Sequence, residues 1–265
     1  MKIGFIGCGN MGGALARATA LCEGAEILLS DFDKEKATAL AEETGGRLAA
    51  SDEIAAECDF SFVGVKPYGV SDLLASLAER INGNARGCIV CMAAGVSIEQ
   101  ISAALGFPYP VIRIMPNTPV AFGEGMTLAA ANGEVTDATW QSFERIMART
   151  GRLDKIDEGY IDAASAVSGS GPAFVYMFLE ALAQGGVNAG LPYDKALAYA
   201  EQTLIGAAVV ARESGKDTER LRIEVCSPGG STIEGVGKLG EGGLIPTVKE
   251  AVRATYEKAK TLGRK

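Results

Sequence analysis

Over the first stretch of the chain, short apolar runs alternate with Ala-rich amphipathic segments. Runs at 2–6, 26–30, 59–65 and 87–92 have the length and flanking residues of strands, and 12–21, 34–43, 70–78 and 98–105 read as the intervening helices. Alternation of this kind predicts parallel strands joined by crossovers, hence a doubly wound sheet. Runs at 111–115 and 125–130 add further strands. Past residue 157 the strand signal stops, and 160–167, 172–189, 193–213, 218–225, 232–239 and 245–262 read as helices broken by Gly and Pro. The expectation is an α/β chain in two parts, a sheet domain over 1–156 and an all-α domain over 157–265.

The first strand runs straight into Gly7-Cys-Gly-Asn-Met-Gly12 and then a helix. A G-x-G-x-x-G alone is a weak signal, but here it follows a strand, opens a helix, and precedes a strand that ends in an acid. Gly7 permits the tight turn, Gly9 lets backbone approach a pyrophosphate, and Gly12 packs helix against strand. Asn10 and Met11 lie between them, so Gly7, Gly9, Asn10, Met11 and Gly12 are the expected phosphate-binding residues of a Rossmann-type domain. Asp31, nineteen residues after Gly12, stands at the tip of the second strand. A carboxylate there accepts hydrogen bonds from ribose hydroxyls and opposes a 2′-phosphate, which favours NADH over NADPH. Asp33 reads as a cap for the helix that begins near Lys34.

Composition narrows the picture. The net charge is −8 and the sequence pI about 4.8, with no Lys/Arg cluster, which argues against nucleic acid or an anionic membrane as partner. No apolar run reads as a membrane span, and the opening residues are too short and glycine-broken for a signal peptide, so a soluble, cytoplasmic protein is expected. Cys88 and Cys91 form a C-x-x-C inside a strand, where positions three apart point to opposite faces. The chain has no histidine, so a zinc site would need four thiolates; buried structural thiols and no metal are expected.

Between two helical segments lies Ser227-Pro-Gly-Gly-Ser-Thr232. Adjacent glycines are conformationally expensive. They suit either a turn with an N-cap or a loop whose exposed amides, at the start of a new helix, bind an anion.

Taken in order, these motifs resemble pyrroline-5-carboxylate reductase, the last enzyme of proline biosynthesis. The resemblance rests on Gly7-Cys-Gly-Asn-Met-Gly12, Val65-Lys-Pro67, Ala93-Ala-Gly95, Arg113-Ile-Met-Pro-Asn-Thr-Pro119, Ser168-Gly-Ser-Gly-Pro-Ala173 and Ser227-Pro-Gly-Gly-Ser-Thr232, which span nearly the whole chain. It implies a Rossmann domain followed by a helical dimerisation domain, a cyclic imine as substrate and NADPH or NADH as hydride donor. It further implies a homodimer or a multiple of it, with active sites formed between the nucleotide domain of one chain and the helical domain of its partner. Carried over residue by residue, Val65, Lys66, Pro67, Ala93, Ala94, Gly95 and Asn117 line the cofactor. Ser227, Gly229 and the amides of Gly230, Ser231 and Thr232 hold the substrate carboxylate. The Thr232 hydroxyl faces the ring nitrogen. Read from the residue itself, the Lys66 charge either steers the carboxylate or is that of a solvated strand-end lysine. Arg113 reads as structural.

Two rivals share parts of this pattern. Related β-hydroxyacid dehydrogenases typically carry a lysine four residues after a second glycine, where this chain, counted from Gly171, has Val175. A non-catalytic NAD(P)-binding redox sensor would account for the sheet domain but not for a carboxylate loop in the helical one.

Overall fold

The computed structural model describes residues 1–262. Its order is β1 (Lys2–Ile6), α1 (Asn10–Ala20), β2 (Glu26–Ser30), α2 (Lys34–Thr44), β3 (Arg47–Leu48), α3 (Ser51–Glu57), β4 (Phe60–Val63), α4 (Val70–Asn82), β5 (Cys88–Cys91), α5 (Ile98–Leu105), β6 (Val111–Pro116), β7 (Gly125–Ala131), α6 (Asp137–Met147) and β8 (Gly151–Lys155). Helices α7 (Ile161–Ser168), α8 (Gly171–Asn188), α9 (Tyr193–Glu213), α10 (Thr218–Val225), α11 (Ser231–Glu241) and α12 (Leu244–Leu262) follow.

One sheet holds all eight strands in the order β3-β2-β1-β4-β5-β6-β7-β8, parallel except where β7 runs against β6. Strand alternation sorts side chains to two faces. Ile3, Phe5, Phe60, Phe62 and Val90 pack with α1, α2 and α6, while Ile6, Val63 and Ile89 pack with α3, α4 and α5. Cys88 and Cys91 fall into these opposite cores, as their spacing predicts. Gly4 carries no side chain because a Cβ there would meet Ile54 and Cys58 of the helix above.

Four elements lie outside the expected pattern. Strand β3 has only two residues, and β8 (Gly-Arg-Leu-Asp-Lys) is a charged edge strand with no apolar run to mark it. Helix α3 is a seven-residue piece, and α6 buries Trp140, Phe143, Ile146 and Met147 at helical spacing behind a Thr136 cap. That last signal is present in the sequence.

Contacts divide the chain into two compact units, Met1–Ser170 with the stretch from Thr255 onward, and Gly171–Ala254. Compactness thus draws the line later than the strand-to-helix change at 156/157, because α7 packs on β7 and its Asp162 pairs with Arg113 of β6. The expected second domain ends with 263–265, which lie outside the described residues. In the second unit α8 and α9 approach closely through small residues: Ala183, Ala196 and Ala200 are buried, and a Cβ on Gly186 would come within 3.0 Å of the Ala196 methyl. Tyr176, Met177, Tyr199, Ile205, Ile223 and Ile245 stay exposed on this single chain.

The sequence expectation about membrane spans is corrected in one respect. By length and hydropathy the helical stretch Glu158–Asn188 is apolar enough to cross a bilayer, and only 11% of its most apolar window is buried. Within this stretch Ser168-Gly-Ser-Gly-Pro separates α7 from α8, as the sequence pattern suggests.

Candidate functional site

The strand order reverses direction between β1 and β4, the switch point at which open α/β sheets bind ligands beyond their carboxyl ends. Gly7 follows β1 with φ +107°, and a Cβ there would lie 2.7 Å from the carbonyl carbon of Gly64, which follows β4. A Cβ on Gly12 would collide with the Gly7 carbonyl oxygen. The space before Gly9 is open: among the described residues, its immediate chain neighbours aside, no heavy atom lies within 4 Å of the position its Cβ would take. Gly9 is also the N-cap of α1, with no side-chain cap and no acid in the first turn. The amides of Asn10, Met11 and Gly12 therefore have no intrahelical acceptor and form a bare positive helix end. This cradle fits a dinucleotide pyrophosphate.

Asp31 does more than the sequence suggests. Its Oδ2 accepts from the Cys8 amide at 2.6 Å and its Oδ1 from the Asp33 amide at 2.8 Å. Together with the Gly7 amide donating to the Ser30 carbonyl at 2.8 Å, this ties the glycine loop to the end of β2. Each carboxylate oxygen keeps a second lone pair for a ribose hydroxyl. Asp33 caps α2 by accepting from the Lys36 amide, as expected. Inside the loop the Cys8 thiol is pushed up to about 11, first by burial and then by the charge of Asp31, so it stays protonated at neutral pH.

Val65, Lys66 and Pro67 leave β4 at the same edge, with Lys66 exposed and Pro67 starting a short 3-10 turn. Ala93 and Ala94 leave β5, and Gly95 turns the chain at φ +77° ahead of the Ser97–Gln100 capping box of α5. Ala93 is buried there, while Ala94 and Gly95 are partly exposed at the carboxyl edge. Asn117 is held by both ends of its amide. Its Oδ1 accepts from the Met126 amide at 2.8 Å and its Nδ2 donates to the Ser168 carbonyl at 2.9 Å. The side chain therefore braces the β6–β7 turn against the end of α7, and one N–H remains for another partner.

Arg113 is structural, as its sequence context suggests. Only 6% exposed, it donates to Glu158 and Asp162, each at 3.0 Å, while the same Glu158 oxygen accepts from the Ile98 amide at 2.8 Å. No linear signal identifies the two acids, which stand 45 and 49 positions away.

In the second unit, Ser227-Pro-Gly-Gly230 forms a turn with Pro228 second and Gly229 third at φ +72°, the signature of type II. The Gly230 amide donates to the Ser227 carbonyl at 3.0 Å. This corrects one expectation: that amide closes the turn, so the donors left for a carboxylate are those of Ser231, Thr232 and Ile233, the first turn of α11. Gly230 is the N-cap, again without a side-chain cap. Ser227 and Thr232 are exposed, and neither hydroxyl has a partner among the described residues.

Two family models match the chain, one described as pyrroline-5-carboxylate reductase dimerisation over residues 158–262 and one as NADP oxidoreductase, coenzyme F420-dependent, over residues 2–95. Pyrroline-5-carboxylate reductase of Aquifex aeolicus is 38% identical over 99% of this chain and 97% of its own. The Escherichia coli enzyme of the same name is 37% identical over 99% and 98%. Among solved structures, the Plasmodium falciparum pyrroline carboxylate reductase with NADP bound superposes with a TM-score of 0.89 at 29% identity, covering 99% of this chain and 98% of that one. The Streptococcus pyogenes enzyme gives 0.88 at 31%, with 98% of each chain covered.

Proposed function

The chain belongs to the pyrroline-5-carboxylate reductase family, and from that premise we propose that it reduces 1-pyrroline-5-carboxylate to L-proline with NADPH or NADH. The observation that carries this reading is a pair of glycine-capped helix starts. One, at α1, suits a pyrophosphate; the other, at α11, follows a Pro-Gly-Gly turn and suits a small carboxylate.

In the reaction, hydride adds to the imine carbon of the protonated pyrroline. The C=N π pair passes to nitrogen, which stays in the ring and becomes a neutral secondary amine. The proton arrives with the substrate, so no general base is required, in keeping with a chain without histidine. Held with its pyrophosphate at the glycine loop, a reduced nicotinamide dinucleotide would supply the hydride. Gly7, Gly9, Asn10, Met11 and Gly12 hold the pyrophosphate, Asp31 the adenosine ribose, and the segments at Val65–Pro67 and Ala93–Gly95 the remainder. Ser227 and the amides of Ser231 and Thr232 anchor the substrate carboxylate, the Thr232 hydroxyl faces the ring nitrogen, and Lys66 steers the anion inward. Catalysis is orientation: the imine carbon is brought within about 3–3.5 Å of the hydride donor.

The same reading assigns 1–156 to the nucleotide and 157–265 to dimerisation and substrate binding, in a cytoplasmic homo-oligomer built from dimers. Because Asp31 places negative charge at the ribose, NADH is used competently.

The test is direct product analysis. Purified protein should form proline from pyrroline-5-carboxylate with at least one of the two cofactors, and folded protein forming none with either refutes the assignment. Thr232→Ala should lower kcat/KM for the imine by roughly 1–3 kcal/mol while cofactor affinity holds. Equal losses in both would make the loop structural.

A further inference from the structure

Two aromatic side chains stand almost wholly in water at the carboxyl edge of the sheet. Phe32 is 102% exposed and Tyr68 88% exposed. Single exposed apolar residues are common on protein surfaces, but these two occupy related places. Phe32 follows Asp31, whose carboxylate holds the Cys8 amide, and lies two positions past Ser30, whose carbonyl holds the Gly7 amide. Tyr68 sits inside the turn Pro67–Gly69, which the Gly69 amide closes on the Lys66 carbonyl, four positions past the Gly64 that abuts Gly7. The loops after β2 and β4 therefore converge on the glycine loop from its two sides, and each presents one ring that, among the described residues, stands largely in solvent.

In a fold of this strand order, a dinucleotide laid across the switch point puts its pyrophosphate at the start of α1 and its first ribose at the acid ending β2. The purine attached to that ribose then falls beside the loops after β2 and β4. We propose that Phe32 and Tyr68 form an aromatic clamp for the adenine, one ring from each loop. The clamp recognises the π-face of a purine and takes no part in hydride transfer. It makes the adenosine half of the cofactor, rather than the nicotinamide half, a main source of binding. The proposal rests on the dinucleotide reading given above, but not on the identity of the imine.

The test uses the full chain and two probes. ADP-ribose carries the adenine half alone, and its dissociation constant is measured by calorimetry. Reduced nicotinamide mononucleotide lacks adenosine, and its KM is measured as hydride donor. Phe32→Ala and Tyr68→Ala should each weaken ADP-ribose roughly tenfold, within the range for losing one base–aromatic stack. Neither should raise the KM for the mononucleotide. Phe32→Trp should keep the affinity, while Phe32→Leu, apolar but not aromatic, should lose most of it. Unchanged ADP-ribose affinity in both alanine variants overturns the clamp, as does full affinity in Phe32→Leu. A matching rise in the mononucleotide KM also overturns it, because that would mark a disturbed glycine loop. Wild-type protein that binds ADP-ribose yet makes no proline refutes the substrate assignment and leaves the clamp standing.

Discussion

At Asp31 one carboxylate holds the folded loop and, in the function we propose, also receives the ribose. Both oxygens accept backbone amides from separate segments, so charge and acceptor count matter independently. Asp31→Asn removes the charge and turns one acceptor into a donor facing an amide hydrogen. The ratio of kcat/KM for NADPH over NADH should rise by about 1 kcal/mol from lost repulsion of the 2′-phosphate. Global stability should fall by about 1–2 kcal/mol from the unsatisfied amide. Parallel steady-state kinetics and urea unfolding separate the two. A stability loss without any change in cofactor ratio would make Asp31 a loop clamp alone. This dual use was invisible in the sequence, where the distance from Gly12 points to the ribose and nothing points to Cys8.

Among elements, the junction of β6, α5 and α7 depends on a buried cation. Arg113 holds Glu158 and Asp162, and Glu158 in turn caps the start of α5 through Ile98. Removing one partner from a buried charge strands the other in low dielectric. Glu158→Ala and Asp162→Ala should each destabilise by roughly 1–3 kcal/mol. The double variant should lose more than the sum, since the first loss leaves the remaining acid to hold the guanidinium alone. Denaturant midpoints of the four proteins in this cycle decide it, and additive losses would show the two pairs to be independent. Strands β1, β2, β4 and β5 were legible as apolar runs because both of their faces are buried. Strand β8 was not, because an edge strand needs neither apolar length nor alternation when charges guard it.

For the whole molecule, the second unit buries too little of itself in a single chain. The family match over 158–262 is to a dimerisation unit, and that is what the exposed apolar residues of α8, α9, α10 and α12 call for. We propose, as the family resemblance implies, that the loop of one chain serves the nucleotide end of its partner. Co-refolding Gly9→Asp with the Ser227→Ala, Thr232→Ala double variant tests this. A side chain at Gly9 fills the open space at the proposed phosphate cradle, so neither parent should turn over well. Mixed dimers carry one site with both halves intact, and a measurable fraction of wild-type activity should return. If mixing restores nothing while mass confirms mixed dimers, each site belongs to one chain.

The sequence by itself determined the fold class, the glycine loop, the acid ending β2 and the Pro-Gly-Gly turn. Each of these is local: a strand's apolar run, a helix cap or a positive-φ glycine is decided by neighbours within a few positions. Tertiary structure alone decided which backbone groups the polar side chains hold. Asp31 reaches Cys8 across 23 positions and Asn117 reaches Ser168 across 51, pairings no local pattern encodes. It also decided that the Gly230 amide closes its own turn, shifting the donors proposed for the carboxylate one residue onward into α11. Hydrogen-bond partners follow from where segments meet in space, and that is set by the packing of the sheet's two cores.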